Sequence, residues 1–170
     1  YHAGMSDQSI VEHIPRLRRY ARVLVSDKHA ADDLVQDTLE RAWKKLHLWR
    51  VGSDLRAWLF AIMHNVFVNQ IRGRRLDTEP ISDEAASVAV RPAHTDGLEL
   101  DDLRKAMNRL SIEHREILLL VAIEEMRYED ISRTLEIPMG TVMSRLSRAR
   151  DRLRQHLEGN ANVVSLKVVK

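Results

Sequence analysis

The amino-acid sequence predicts an all-α fold: two small helical domains joined by a flexible acidic linker, the C-terminal one containing a helix-turn-helix. Three observations carry this. Apolar residues recur at spacings of three and four over most of the chain, which is the helical period. Alternating runs of β-branched residues, the mark of half-buried strands, are nearly absent. The helical period lapses between about Leu76 and Glu99, where Pro80, Pro92 and Gly97 sit among small and acidic residues. A length of 170 residues suits one large domain or two small ones, and the lapse divides it into residues 5–76, a linker 77–99, a second unit 100–158 and a tail 159–170.

The first helix places Ile10, Ile14, Leu17, Ala21 and Leu24 on one face. Pro15 falls within it. Proline lacks an amide donor and clashes with the preceding turn, so it either kinks this helix or begins another. Tyr1-His2-Ala3-Gly4 precede the first methionine, Met5, show no secretory signal, and read as an appended segment outside the fold. Ser26-Asp27 offers a cap for a second helix with the apolar stripe Leu34, Val35, Leu39, Ala42, Trp43 and Leu46.

After the turn-like Arg50-Val51-Gly52-Ser53 comes a third helix with Leu55, Trp58, Leu59, Ile62, Val66 and Ile71 inside, ending in Arg72, Arg74 and Arg75 around Gly73. Helical spacing resumes from Leu100 to Leu110. Ser111 caps an apolar helix containing Ile117, Leu118, Val121 and Ala122. Tyr128 to Leu135 and Pro138 to Leu157 form two more helices about three residues apart. Gly159 is a stop for the last, which leaves Asn160 to Lys170 as a tail open to disorder.

Charge is segregated beneath a net +2. Residues 1–76 carry 13 Lys/Arg against 8 Asp/Glu, residues 77–102 carry 1 against 8, and residues 103–170 carry 13 against 9. Two basic blocks either meet a polyanion or are ordinarily solvated, and charge alone does not choose. The last two helices narrow the choice. With Val142 at zero and ~100° per residue, Leu146, Ala149 and Leu153 fall within about 40° of it, a buried stripe. Thr141, Ser144, Arg145, Arg148 and Arg152 gather at about 200–300°. A short helix, a tight turn and a second helix with such a flank is what a major-groove reader needs, although a solvated amphipathic helix has the same pattern.

The strings Tyr128-Glu129-Asp130-Ile131-Ser132 and Ile137-Pro138-Met139-Gly140-Thr141-Val142-Met143-Ser144-Arg145-Leu146-Ser147-Arg148-Ala149-Arg150 resemble the last helix-turn-helix of extracytoplasmic-function (ECF) sigma factors. The resemblance implies that Gly140, Thr141, Ser144, Arg145, Arg148 and Arg152 meet the promoter −35 element. Upstream, Ala31 to Trp43 resembles the family helix that docks on a coiled coil of the polymerase β′ subunit, which implies contacts from Asp33, Gln36, Asp37 and Glu40. These four share one flank at helical spacing, as would the residues of a merely solvated acidic face.

The segment Leu55 to Val66 resembles the helix that recognises and opens the −10 element. That resemblance implies −10 contacts from Trp49, Arg50 and Ser53 in the preceding loop and from Arg56, Asn65, Asn69, Arg72, Arg74 and Arg75. Opening a duplex needs a pocket for an unstacked base and a cationic path for the single strand. Trp58, at helical spacing in an apolar segment, reads as core rather than as a stacking platform.

Zero cysteines exclude a disulfide scaffold or a thiolate site, and eight scattered histidines offer no metal-ligand spacing. With six glycines and no glycine-rich phosphate loop, no enzyme and no cofactor is expected. No apolar run reaches the ~18 residues that would span a bilayer. The resemblance implies a bacterial cytoplasmic protein whose partners are core RNA polymerase (β′ coiled coil and β flap), promoter DNA and an anti-sigma factor able to hold it near the membrane. Two alternatives remain: a polymerase-independent helix-turn-helix regulator, and a sigma-mimicking interaction protein that titrates an anti-sigma factor.

Overall fold

The structure of the chain, a computed structural model, describes residues 3–77 and 98–168, with side chains for 9–73 and 100–159. The linker expected at 77–99 lies outside the described residues except at its ends, where helices run to Asp77 and resume at Leu98. Helix α1 (Ala3–Val25) packs on α2 (Lys28–Lys44), and α2 on α3 (Leu55–Asp77). The segment set aside as appended is therefore partly helical, because α1 begins at Ala3. Nor does Pro15 start a second helix; α1 is continuous through it, and the ring sits at an exposed position where the lost hydrogen bond faces water.

The chain leaves α1 through Ser26 in the left-handed region (φ 66°), its amide donating to the Arg22 carbonyl. The Asp27 carboxylate then accepts from the amides of His29 and Ala30 at 3.4 Å, the expected cap. Ile10, Leu17, Leu24, Leu34, Leu59 and Met63 are fully buried where the three helices meet. Tyr20 and Phe60 pack edge to face with centroids 4.9 Å apart, worth ~0.5–1.5 kcal/mol beyond burial. Thr38, buried in mid-helix, satisfies its hydroxyl on the Leu34 carbonyl at 2.7 Å.

Trp43 departs from expectation. It is 43% exposed rather than part of the buried stripe. It lies nine residues after Leu34, and at ~100° per residue that brings it round to the opposite side of α2.

The second unit comprises α4 (Leu98–Arg109), α5 (Ile112–Leu118), α6 (Tyr128–Leu135) and α7 (Met139–Val168). Ser111 caps α5 through the His114 amide. The apolar helix is shorter than its composition suggests, because it widens into a π turn over Leu119–Ile123 in which the Glu124 amide reaches back to the Leu119 carbonyl at 3.0 Å. The extra residue turns Glu124 inward and leaves Ala122 and Ile123 exposed. Ile117, Leu120, Ile131 and Val142 are buried at the centre. The stop expected at Gly159 does not occur, and the tail is helical to Val168. A glycine in helical conformation weakens a helix by ~1 kcal/mol without ending it.

The sequence left the relative placement of the two units open. In the structure they share one continuous apolar cluster, with α3 against α6 and α1 against α5. Arg115 of α5 is 8% exposed and donates to the carbonyls of Leu24 (2.6 Å), Met107 (3.0 Å), Asn108 (3.0 Å) and Leu110 (3.1 Å), so it joins the end of α1 to the end of α4. Ser26 donates to Asn108 Oδ1 at 2.7 Å beside it. Among the described residues no helix is long and apolar enough to cross a membrane.

Because Pro15 is exposed, Pro15→Ala returns an amide donor to α1 without emptying the core. Urea denaturation should show a gain of ~1–3 kcal/mol; a lower midpoint would mean that α1 packs correctly only with the proline in place.

Candidate nucleic-acid and partner interface

The α6–α7 turn is built by local hydrogen bonds. Glu136 ends α6 in the left-handed region (φ 54°, ψ 47°), and the amides of Glu136 and Ile137 both return to the Ser132 carbonyl. Ser132 Oγ closes the loop by donating to the Ile137 carbonyl. Pro138 stands one residue ahead of α7, where its missing amide costs nothing, and its carbonyl accepts from Val142 at 3.0 Å. Three residues thus separate the helices, as expected.

On α7, Val142, Leu146 and Ala149 are buried and Leu153 half-buried, the stripe derived from the sequence. Gly140, Ser144, Arg148 and Arg152 are exposed on the other flank; Thr141 and Arg145 are half-buried. Arg145 lies 3.8 Å from the Glu113 carboxylate, which holds the guanidinium over the α5–α7 groove. The field here is positive: burial first, and then Arg145, Arg152 and Arg148, push the His114 imidazole below its ordinary range against the pull of Glu113. An array of hydroxyl and guanidinium donors on one flank of a braced helix can bond phosphates and guanine edges.

On α2, Asp33, Gln36, Asp37 and Glu40 are all exposed along one flank. Asp37 accepts from Gln70 of α3 at 2.8 Å, and Glu40 pairs with Lys44 at 3.1 Å. Beside them a groove of ~930 Å³ between α1 and α2 is walled by Arg18, Arg22, Leu39 and Trp43. Sequence reasoning missed Trp43 as a surface residue. The same angular arithmetic finds it, because Trp43 falls about 20° from Gln36 and about 60° from Glu40.

The α3 set is divided. Asn65, Asn69 and Arg72 are exposed on one side of the helix, and Arg50 and Ser53 are exposed in the loop before it. That loop is a tight turn: Gly52 adopts φ 96°, Ser53 returns both its amide and its hydroxyl to the Arg50 carbonyl, and Asp54 accepts from the Ala57 amide at 3.2 Å to open α3. Trp49 is half-buried, with its indole Nε1 enclosed and unpartnered. Trp58 is half-buried against the core. Arg56 is turned away from this group and donates to the Glu124 carbonyl at 2.8 Å. The side chains of Arg74 and Arg75 lie outside the described residues. Among the described residues no cluster of three or more potential ligands could hold a metal ion.

Two family models match the chain, the sigma2 domain of PhyR over residues 10–64 and sigma-70 region 4 over residues 100–153. The ECF RNA polymerase sigma factor EcfG of Rhodopseudomonas palustris is 37% identical over 145 residues, covering 85% of this chain and 80% of that protein. Among solved structures, the sigma factor RpoE in complex with the anti-sigma factor NepR from Bartonella quintana superposes with a TM-score of 0.76 at 39% identity, covering 89% of this chain and 96% of that one. CnrH in complex with the cytosolic domain of CnrY superposes with a TM-score of 0.65 at 25% identity, covering 91% and 88%.

Glu136 holds a left-handed conformation that costs a side-chain-bearing residue ~1–2 kcal/mol. Glu136→Gly should therefore stabilise the helix-turn-helix by ~1 kcal/mol in a thermal melt, with no change in the α7 face; destabilisation would show that the Glu136 side chain supports the turn.

Proposed function

The chain belongs to the ECF RNA polymerase sigma factors, and from that premise we propose that it binds core RNA polymerase, brings it to selected promoters and helps to open them, under control of an anti-sigma factor. The reading rests chiefly on the α7 face, where Thr141, Ser144, Arg145, Arg148 and Arg152 flank the buried Val142-Leu146-Ala149 stripe. A helix braced by its own core and lined with guanidinium donors suits base-edge readout in the major groove, and it is the face proposed for the −35 element.

The acidic flank of α2, with Asp33, Gln36, Asp37 and Glu40, is proposed to meet the basic β′ coiled coil. Trp43, exposed beside this flank, joins it as an aromatic anchor, since a tryptophan that becomes buried near the centre of an interface carries a disproportionate share of binding energy. Arg50, Ser53, Asn65, Asn69 and Arg72, continued by Arg74 and Arg75, are proposed to follow the −10 strand, with Trp49 helping to shape the loop. Arg56 joins that group once it is released from Glu124. Bond making in transcription then belongs to the polymerase, and the chain contributes recognition and strand capture.

Control by an anti-sigma factor is supported by the solved relative RpoE, which is in complex with the anti-sigma factor NepR. A cytoplasmic location follows from the polymerase it serves. Tethering near the membrane would be a property of the anti-sigma factor.

Purified chain plus core polymerase should initiate at cognate promoters without another sigma factor; a polymerase-independent regulator would not, and a titrating mimic would bind no promoter. Arg145→Ala should weaken −35 duplex binding by ~1–3 kcal/mol and relax selectivity at one position; unchanged selectivity removes it from the reading set. Trp43→Ala should weaken core polymerase binding by ~2 kcal/mol, and Asp37→Arg should do likewise, both with −35 duplex binding retained. Loss of both activities together would instead indicate misfolding.

A further inference from the structure

The guanidiniums on the flank of α7 differ in one respect. Glu113, in the first turn of α5 behind the Ser111 cap, brings a carboxylate to Arg145: its Oε2 stands 3.8 Å from Arg145 Nη2. Among the described residues neither Arg148 nor Arg152 has an ion-pair partner. The Arg145 side chain is 22% exposed and that of Glu113 is 70% exposed. Arg145 is thus set apart twice, because its stem is largely covered and its charge faces a counter-charge fixed on another helix. His114 does not compete for that carboxylate. Burial and the arginines of α7 push its imidazole below the ordinary range, so near neutral pH Arg145 is the cation that Glu113 faces.

A guanidinium beside a duplex has two kinds of acceptor. Phosphate oxygens are charged and recur at every step, whereas guanine O6 and N7 lie in the major groove and differ between base pairs. Coulomb attraction sends an unrestrained arginine to phosphate, which adds affinity without information. A carboxylate on the neighbouring helix alters the choice, since it repels phosphates on its own side and limits the directions that the guanidinium can take. The contact is also weak enough to yield. At 3.8 Å it is too long for a hydrogen bond, and one partner is largely in water, so little is lost when a base edge offers two acceptors in its place.

We propose that Glu113 is a positioning residue for sequence reading, which steers Arg145 away from phosphate and toward base edges. The inference rests on the sigma-factor reading above. It makes a residue outside the reading helix a determinant of that helix's selectivity.

The full-length chain is used to select duplexes from a pool randomised over the −35 region, and the selected duplex and a scrambled one are then titrated between roughly 50 and 200 mM salt. Glu113→Gln keeps the size and removes the charge. It should lower the preference at one base pair about threefold or more, and that pair should be the one at which Arg145→Ala loses preference. Binding to the scrambled duplex should tighten, and the slope of log affinity against log salt should steepen by about one, because the freed guanidinium gains a phosphate. In the Arg145→Ala background, Glu113→Gln should leave both base preference and salt slope unchanged. Glu113→Asp retains the charge and should retain most of the preference.

A lower melting temperature with base preference and salt slope unaltered would make Glu113 a helix-start residue only, and overturns the inference. So does a changed preference at a different base pair that persists without Arg145, which would mean that Glu113 itself accepts from a cytosine amino group. Should the unaltered chain select no sequence from the pool, the sigma-factor reading and the inference fall together. Selection that Glu113→Gln leaves intact removes the inference alone.

Discussion

The guanidinium of Arg115 answers for four backbone carbonyls at once. The last carbonyls of a helix have no partner within it and carry the negative end of the helix dipole. Leu24 sits at the end of α1, and Met107, Asn108 and Leu110 lie at the end of α4 or just beyond. One buried cation satisfies both ends and ties them together. Burial works against that cation, lowering its affinity for a proton, yet guanidinium keeps its charge throughout the ordinary pH range. Lysine, with three donors and no planar fork, could not serve the same four acceptors. The same helix, α5, carries Glu116 next to this contact and leads into the π turn that ends at Glu124.

Much of the fold was legible in the sequence because helix formation is local. Asp27 and Ser111 announced their helices as caps, and the Val142-Leu146-Ala149 stripe could be drawn by angle alone. The α6 boundaries followed from periodicity as well. What failed was local information asked to do a non-local task. Trp43 is apolar and follows Ala42, which drew it into the stripe, although its angle opposite Leu34 and beside Gln36 already set it on the uncovered side of α2. The π turn at Leu119–Ile123 leaves an apolar run that reads as ordinary helix. Gly159 suggested a stop, but a glycine ends a helix only when its backbone leaves helical geometry.

The site residues show the same divide. The flanks of α2 and α7 come from single helices, so their spacing placed them together. Arg56 had to be judged by what another unit brings to it, and no spacing within Leu55–Val66 signals a carbonyl 68 residues away. Buried Arg115 and Glu116 were invisible for a like reason: adjacent charged residues in a helix read as solvent-facing until a second unit covers them.

The acidic flank of α2 sits on a molecule whose first and last thirds are otherwise cationic. Such a distribution has a permanent dipole, and the field of a polyanionic rod exerts a torque on it before any contact forms. A polyanionic partner would therefore be met by the cationic faces, and an encounter that covers the α2 carboxylates would be repelled.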